Sequence, residues 1–178
     1  TSGNGTLTAA NSTALTDGAS CAFLCSEEYA KENNLTPLAF FTFAQSAAVN
    51  YIEDEGLLMA PAYAVPKLLK QAGLTLQDFD FYEIHEAFAA QVLCTLESWK
   101  SEEFCKNKLG LESALGEIDM SKLNVNGGSL ALGHPFAATG TRIVTALAKM
   151  LNEKGSGRGL MSICTAGGMG ITAIIEKN

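Results

Sequence analysis

Two apolar runs, 160–164 and 171–176, close the chain around Thr165-Ala166-Gly167-Gly168. Adjacent glycines take the left-handed backbone values that a sharp reversal needs. The ending therefore reads as strand, tight turn, strand, and its two strands must be antiparallel neighbours. Upstream, apolar runs alternate with segments at helical spacing, which argues a layered α/β fold. The closing hairpin makes the sheet mixed.

Ser26 can cap a short helix, with Glu27 and Glu28 favourable in its first turn. Pro61 suits the start of a helix over 61–71 that Gly73 closes, with Ala62, Val65, Leu68, Leu69 and Ala72 as its apolar face. Pro66 should bend that helix. Thr75 with Asp78 marks a one-turn helix. Further helices are expected over 86–99, 102–109 and 138–151, with a turn at 155–159. Strands are expected over 19–24 (buried), 38–43, 79–84 and 123–125. Residues 1–16, rich in Thr, Ser, Gly, Asn and Ala, read as loop and as the start of a cut chain. The break at 33–37 is the candidate domain boundary, giving regions 1–35 and 36–178.

Composition narrows the function. The 178 residues carry 12 basic and 19 acidic side chains, a net charge of −7, with no basic stripe, so nucleic acid is not an expected partner. A phosphate-bearing ligand remains compatible, because loop N–H groups can hold one. No apolar run is long enough to span a bilayer. The five cysteines are odd in number and scattered, which argues against a disulfide framework and for a reducing compartment, with most of them as small core residues.

The sequence has two histidines, His85 and His134, each at the end of an expected element. Open α/β sheets place their sites at such ends. Cys164 ends an expected strand, beside N–H groups that could stabilise an oxyanion. Its alternatives are a reactive thiol tuned by a nearby histidine and a buried structural cysteine. A zinc site from His85, His134, Cys164 and Glu86 lacks compact ligand spacing. The glycines match no nucleotide-binding fingerprint.

Four segments together resemble the thiolases: Ala10-Asn11-Ser12-Thr13-Ala14-Leu15-Thr16-Asp17-Gly18-Ala19, His85-Glu86-Ala87-Phe88-Ala89, Gly127-Gly128-Ser129-Leu130-Ala131-Leu132-Gly133-His134-Pro135, and Cys164-Thr165-Ala166-Gly167-Gly168-Met169-Gly170. They occur in family order over nearly the whole chain. The resemblance implies a mixed five-stranded sheet with helices on both faces. It makes 1–35 the end of a thiolase N-terminal domain and 36–178 the C-terminal domain. The acyl-accepting cysteine would lie in the missing N-terminal half.

By the same resemblance, His134 activates that absent cysteine and, with His85, holds the thioester oxygen. Cys164 is the acid/base, for which a pKa near working pH would be suitable. The Ala166 N–H contributes to a second oxyanion hole. Ala87 and Phe88 line the pantetheine channel, and Thr13 lies near the coenzyme A chain. Coenzyme A and acyl-CoA thioesters are the substrates, with no metal or other cofactor.

Two positions depart from the commonest pattern: His85 replaces asparagine and Ala137 replaces glycine. Both resemble thiolases of fatty-acid β-oxidation complexes, which pair with a hydratase/dehydrogenase subunit. This implies a degradative 3-ketoacyl-CoA thiolase (acetyl-CoA C-acyltransferase), a homodimer, cytoplasmic if bacterial and mitochondrial if eukaryotic. The alternatives are an acetoacetyl-CoA or sterol-carrier-type thiolase, or a non-catalytic binding or assembly subunit of the same fold. Alanine at 137 also implies that the backbone there avoids positive φ.

Overall fold

A computed structural model describes residues 5–53 and 55–178. Its elements are α1 (Glu27–Glu32), β1 (Phe40–Ala48), α2 (Ala60–Ala72), β2 (Phe81–Ile84), α3 (Ala89–Lys100), α4 (Glu102–Asn107), α5 (Ser129–Leu132), α6 (Thr139–Lys154), β3 (Gly157–Thr165) and β4 (Met169–Lys177). The sheet order is β1-β4-β3-β2. β4 runs antiparallel to both neighbours, and β2 runs parallel to β3. The sheet is mixed, as the closing hairpin requires, and that hairpin is its centre.

Strand alternation divides the core between the two faces. Leu160 and Ile174 join Val65, Leu68 and Leu69 of α2 and Val92, Leu96 and Trp99 of α3. Met161, Ala173 and Ile175 join Ile143, Leu147 and Leu151 of α6. Helices therefore cover both faces.

Local signals account for several boundaries. The Ser26 hydroxyl accepts the Tyr29 N–H at the start of α1. Gly73 ends α2 at φ 67°, a left-handed cap. Helix α2 runs on through Pro66. A proline has no N–H, so the carbonyl one turn earlier, that of Ala62, loses its helical partner. The indole N–H of buried Trp99 donates to that carbonyl at 3.3 Å. The helix break is thus repaired from α3.

Five expectations are corrected. The sheet has four strands among the described residues, not five. Residues 123–125 form no strand; Leu123 makes a single parallel bridge with Tyr82. Beyond it the Asn124 side chain accepts the Ile84 N–H and donates to the Ile84 carbonyl, each at 2.9 Å. One side-chain amide thereby does what a fifth strand's backbone would do. Residues 19–24 form neither a strand nor part of the core: no described strand pairs with them, and Phe23 and Leu24 are exposed. Three cysteines, Cys21, Cys25 and Cys94, are exposed; only Cys105 and Cys164 are buried. Thr75 and Asp78 close a turn, with Asp78 Oδ2 accepting from the Thr75 N–H at 2.7 Å, but no helix follows.

A sixth correction concerns Ala137, whose φ is 65°. The Pro135 carbonyl accepts the Ala138 N–H at 3.1 Å, closing a turn whose third residue is left-handed. The methyl group is exposed, so the turn tolerates it at a conformational cost of roughly 1–2 kcal/mol. Glycine removes that cost but loses roughly 0.5–1 kcal/mol to chain entropy. Ala137→Gly is therefore expected to raise stability by about 0.5–1 kcal/mol in urea unfolding; an unchanged or lower midpoint would contradict the strain.

Candidate active site

The C-terminal ends of β2 and β3 bring the site together. Ile84 pairs with Ser162, and the His85 N–H continues that ladder to the Ser162 carbonyl at 2.9 Å. His85 is therefore held by the sheet at the point where β2 ends, beside the end of β3 that carries Cys164. His134 leaves the short helix α5 and is held by its own N–H, which donates to the Ala14 carbonyl at 2.8 Å. The two imidazole rings meet with centroids 4.3 Å apart, tilted by 47°.

The loop between them is fastened by groups that motif reading passed over. Glu86 accepts from Asn124 Nδ2 at 2.6 Å and from the Leu130 N–H at 3.0 Å. Its carboxylate thus ties the end of β2 to the first turn of α5. Gly128 is required there by space, because a Cβ would fall 2.3 Å from Glu86 Oε2. The second residue of the His-Glu-Ala-Phe segment was the available signal for this clasp. With its carboxylate so engaged, Glu86 is poorly placed to act as a zinc ligand. Among the described residues no three of His, Cys, Asp and Glu gather as a metal site.

His85 is almost fully buried, and its Nδ1 lies 2.9 Å from Ser129 Oγ. Burial, then the neighbouring His134 and Arg142, push its pKa down to about 4. His134 is half-buried, with Nδ1 2.6 Å from Thr139 Oγ1. Burial and Arg142 also lower its pKa. Both rings are neutral at physiological pH, so one can donate and the other can accept a proton.

Cys164 is 8% exposed. Burial pushes its thiol up to about 11, against backbone hydrogen bonds from Cys164 itself and Ala87 that pull it down. The expected pKa near working pH is not found in this chain: the group rests as a thiol, a proton donor. The Ala87 contact joins Cys164 to the His85 loop.

Ala166 is exposed in the turn that follows, and its N–H makes no hydrogen bond among the described residues. Gly168 shapes that turn: its φ is 73°, its carbonyl accepts the Val49 N–H, and a Cβ would come 2.6 Å from the Val49 carbonyl oxygen. Phe88 stands partly exposed before α3 and bridges to Ser12. Ala87 is half-buried and its carbonyl accepts the Thr13 N–H. Thr13 spends its hydroxyl hydrogen on the Ser129 carbonyl at 2.7 Å, which makes it a brace between two motifs.

A cleft of about 600 Å³ opens beside His134, lined by residues 15–18, Pro135 and Phe136. A second cleft, of about 630 Å³, lies away from the histidines, between residues 21–27 and β1 with α6. The first is the one that the chemistry can use.

Buried Glu83 shares the neighbourhood of Arg142. Burial raises its carboxyl to about 7, against the pull of Arg142. Between pH 4.5 and 7 folded Glu83 holds a proton that the unfolded chain has released, so its contribution falls as pH rises. His85 acts oppositely: between pH 4 and 6.5 the unfolded chain binds the proton, so its contribution rises with pH. Glu83→Gln removes the first effect. Its stability is expected to climb more steeply than the parent's between pH 5 and 6.5, by up to about 1.4 kcal/mol per pH unit. Urea unfolding at the two pH values checks this; equal slopes would refute it.

Residues 35–177 match the family description "Thiolase, C-terminal domain". The chain belongs to the thiolase family. It is 50% identical over 173 residues to a 3-ketoacyl-CoA thiolase of Shewanella putrefaciens and 50% identical over 172 residues to one of Alteromonas mediterranea. Each alignment covers 97% of this chain and 39% of the relative, so the chain spans about 39% of the length of the curated thiolases it matches. The human mitochondrial 3-ketoacyl-CoA thiolase in complex with CoA superposes with a TM-score of 0.75 at 32% identity, covering 98% of this chain and 39% of that one. A Bacillus anthracis acetyl-CoA acetyltransferase gives 0.77 at 35% identity, covering 97% and 39%.

Proposed function

We propose that this thiolase chain is part of an enzyme that cleaves 3-ketoacyl-CoA with coenzyme A, giving acetyl-CoA and a shortened acyl-CoA. The observation that carries the reading is the meeting of the neutral pair His85, at the end of β2, and His134, after α5, near a protonated Cys164 at the end of β3. The relatives' names support the substrate class.

In this reading His134 takes the proton of a nucleophilic cysteine supplied by the remaining thiolase length. The resulting thiolate attacks the 3-keto carbon, and negative charge develops on its oxygen. Cleavage of the carbon–carbon bond leaves a thioester on that cysteine and an enolate of acetyl-CoA. The Ala166 N–H and the nucleophile's own N–H hold the oxygen of the tetrahedral 3-keto carbon, His85 and His134 hold the enolate oxygen of the acetyl-CoA thioester, and Cys164 gives its proton to the enolate carbon. Coenzyme A then attacks the acyl-enzyme, its thiol proton passing to the Cys164 thiolate, and the displaced cysteine recovers its proton from His134, which returns every group to its starting form. Covalent catalysis replaces one difficult step with two easier ones.

A thiol that rests protonated begins in the form that the cleavage step consumes. His85 and Ala137 favour degradation over synthesis through their resemblance to the β-oxidation thiolases. Ala87 and Phe88 are assigned to the pantetheine channel. A homodimer of full-length chains, with a hydratase/dehydrogenase partner, fits that branch.

The 178-residue chain alone is expected to show no thiolysis, followed as loss of 3-ketoacyl-CoA absorbance. A polypeptide of full thiolase length carrying these residues should turn over. Robust cleavage by the short chain would overturn the division of labour, because Cys164 would then have to be the nucleophile.

A further inference from the structure

Ser129 is fully buried, and its hydroxyl has two partners. Arg142 Nη2 donates to Ser129 Oγ at 3.1 Å, and a guanidinium can only donate, so that direction is fixed. The second partner is His85 Nδ1 at 2.9 Å. Were Nδ1 the protonated nitrogen, Ser129 Oγ would accept twice and its own hydrogen would be buried without an acceptor. An unmet buried donor costs about 1–3 kcal/mol. The arrangement that satisfies every group has Ser129 O–H donating to Nδ1, which leaves the proton of neutral His85 on Nε2.

We propose that Ser129, oriented by Arg142, is a positioning residue that locks His85 as its Nε2–H tautomer, a fixed hydrogen-bond donor on the ring edge away from Ser129. His134 is wired in the opposite sense. The Thr139 hydroxyl can donate to the Pro135 carbonyl at 3.3 Å and accept His134 Nδ1–H at 2.6 Å, leaving His134 Nε2 as a lone pair. Two adjacent imidazoles thereby present unlike edges, one donor and one acceptor. Without such wiring, equivalent rings 4.3 Å apart could exchange these roles.

Arg142 contributes beyond its hydrogen bond. Its Nε is buried with no hydrogen-bond partner among the described residues, and its charge disfavours protonation of both histidines, which keeps His85 a neutral donor. Glu83 faces the same guanidinium from β2 and offsets that charge where it is ionised.

The tautomer itself follows from hydrogen-bond accounting; only its use, donation to a thioester oxygen, rests on the proposed thiolase function. The test is long-range ¹H–¹⁵N correlation of the histidine rings in the full chain near pH 7. With two histidines in the sequence, His85→Asn assigns both spin systems by loss of one. The expected spectrum shows His85 protonated at Nε2 and bare at Nδ1. Ser129→Ala should shift His85 towards a tautomer mixture, and Ser129→Thr should restore the parent pattern.

His85 protonated at Nδ1 in the parent chain would overturn the proposal without reference to any variant, so it does not depend on how Ser129→Ala folds. An unchanged His85 pattern in folded Ser129→Ala would also overturn it. Turnover plays no part in this readout. Failure of the catalytic reading and failure of the tautomer lock are therefore separately visible.

Discussion

Replacing Cys164 by serine in a polypeptide of full thiolase length lowers both thiolysis and condensation by about 10²–10⁴-fold, the usual weight of a positioned acid/base. A buried thiol pushed up to about 11 can still exchange its proton with an enolate carbon. A serine hydroxyl in the same apolar site is far too weak an acid to do so. Attack by the nucleophilic cysteine does not use Cys164, so acylation by an acyl-CoA should survive in part, as a burst of acyl-enzyme. Rapid quench of a radiolabelled acyl group separates the two stages. Near-normal steady-state turnover would remove Cys164 from the mechanism, whereas loss of the burst as well would make it the nucleophile or a structural necessity.

Trp99→Ala is expected to destabilise the fold by about 3–5 kcal/mol, the usual cost of emptying a buried aromatic site. Trp99 is fully buried between α2 and the rest of its cluster. Its loss has a second component here. Pro66 cannot supply the hydrogen bond that Ala62's carbonyl needs, so without the indole N–H that carbonyl is stranded. Trp99→Phe keeps most of the volume and removes only the donor, and should cost about 1–3 kcal/mol. Trp99 is the single tryptophan, so unfolding must be followed by circular dichroism rather than indole fluorescence. A tolerated Trp99→Ala would refute the packing role; a neutral Trp99→Phe would refute the repair of the proline break.

Much of the architecture was legible because its causes are local. The Ser26 cap, Pro61 and Gly73 at the ends of α2, and the glycine turn at 166–168 act through neighbouring backbone atoms that the residues themselves specify. The motifs located His85, His134 and Cys164 because each follows or ends an element whose period is visible. Residues 19–24 failed for the opposite reason. An apolar run becomes a strand only if another backbone pairs with it, and no described strand does. Leu123 and Asn124 failed similarly, since nothing local says that an amide side chain will stand in for a strand.

Ala137 shows where a residue preference yields to its surroundings. Its type argues for negative φ, yet the Pro135 turn sets φ at 65°. The local cost is small beside the contacts that hold Pro135 and His134 in place.

By itself the sequence determined the order of elements, the closing hairpin, the family motifs and the choice of His85, His134 and Cys164 as candidate site residues. The tertiary structure alone decided their chemical state. Cys164 is protonated because the fold buries it, and the histidines are neutral because burial and Arg142 oppose their charge. Ser129 meets His85 across 44 positions of chain, a contact that no local pattern encodes. Residue types come from sequence, but desolvation and hydrogen-bond direction belong to the assembled interior.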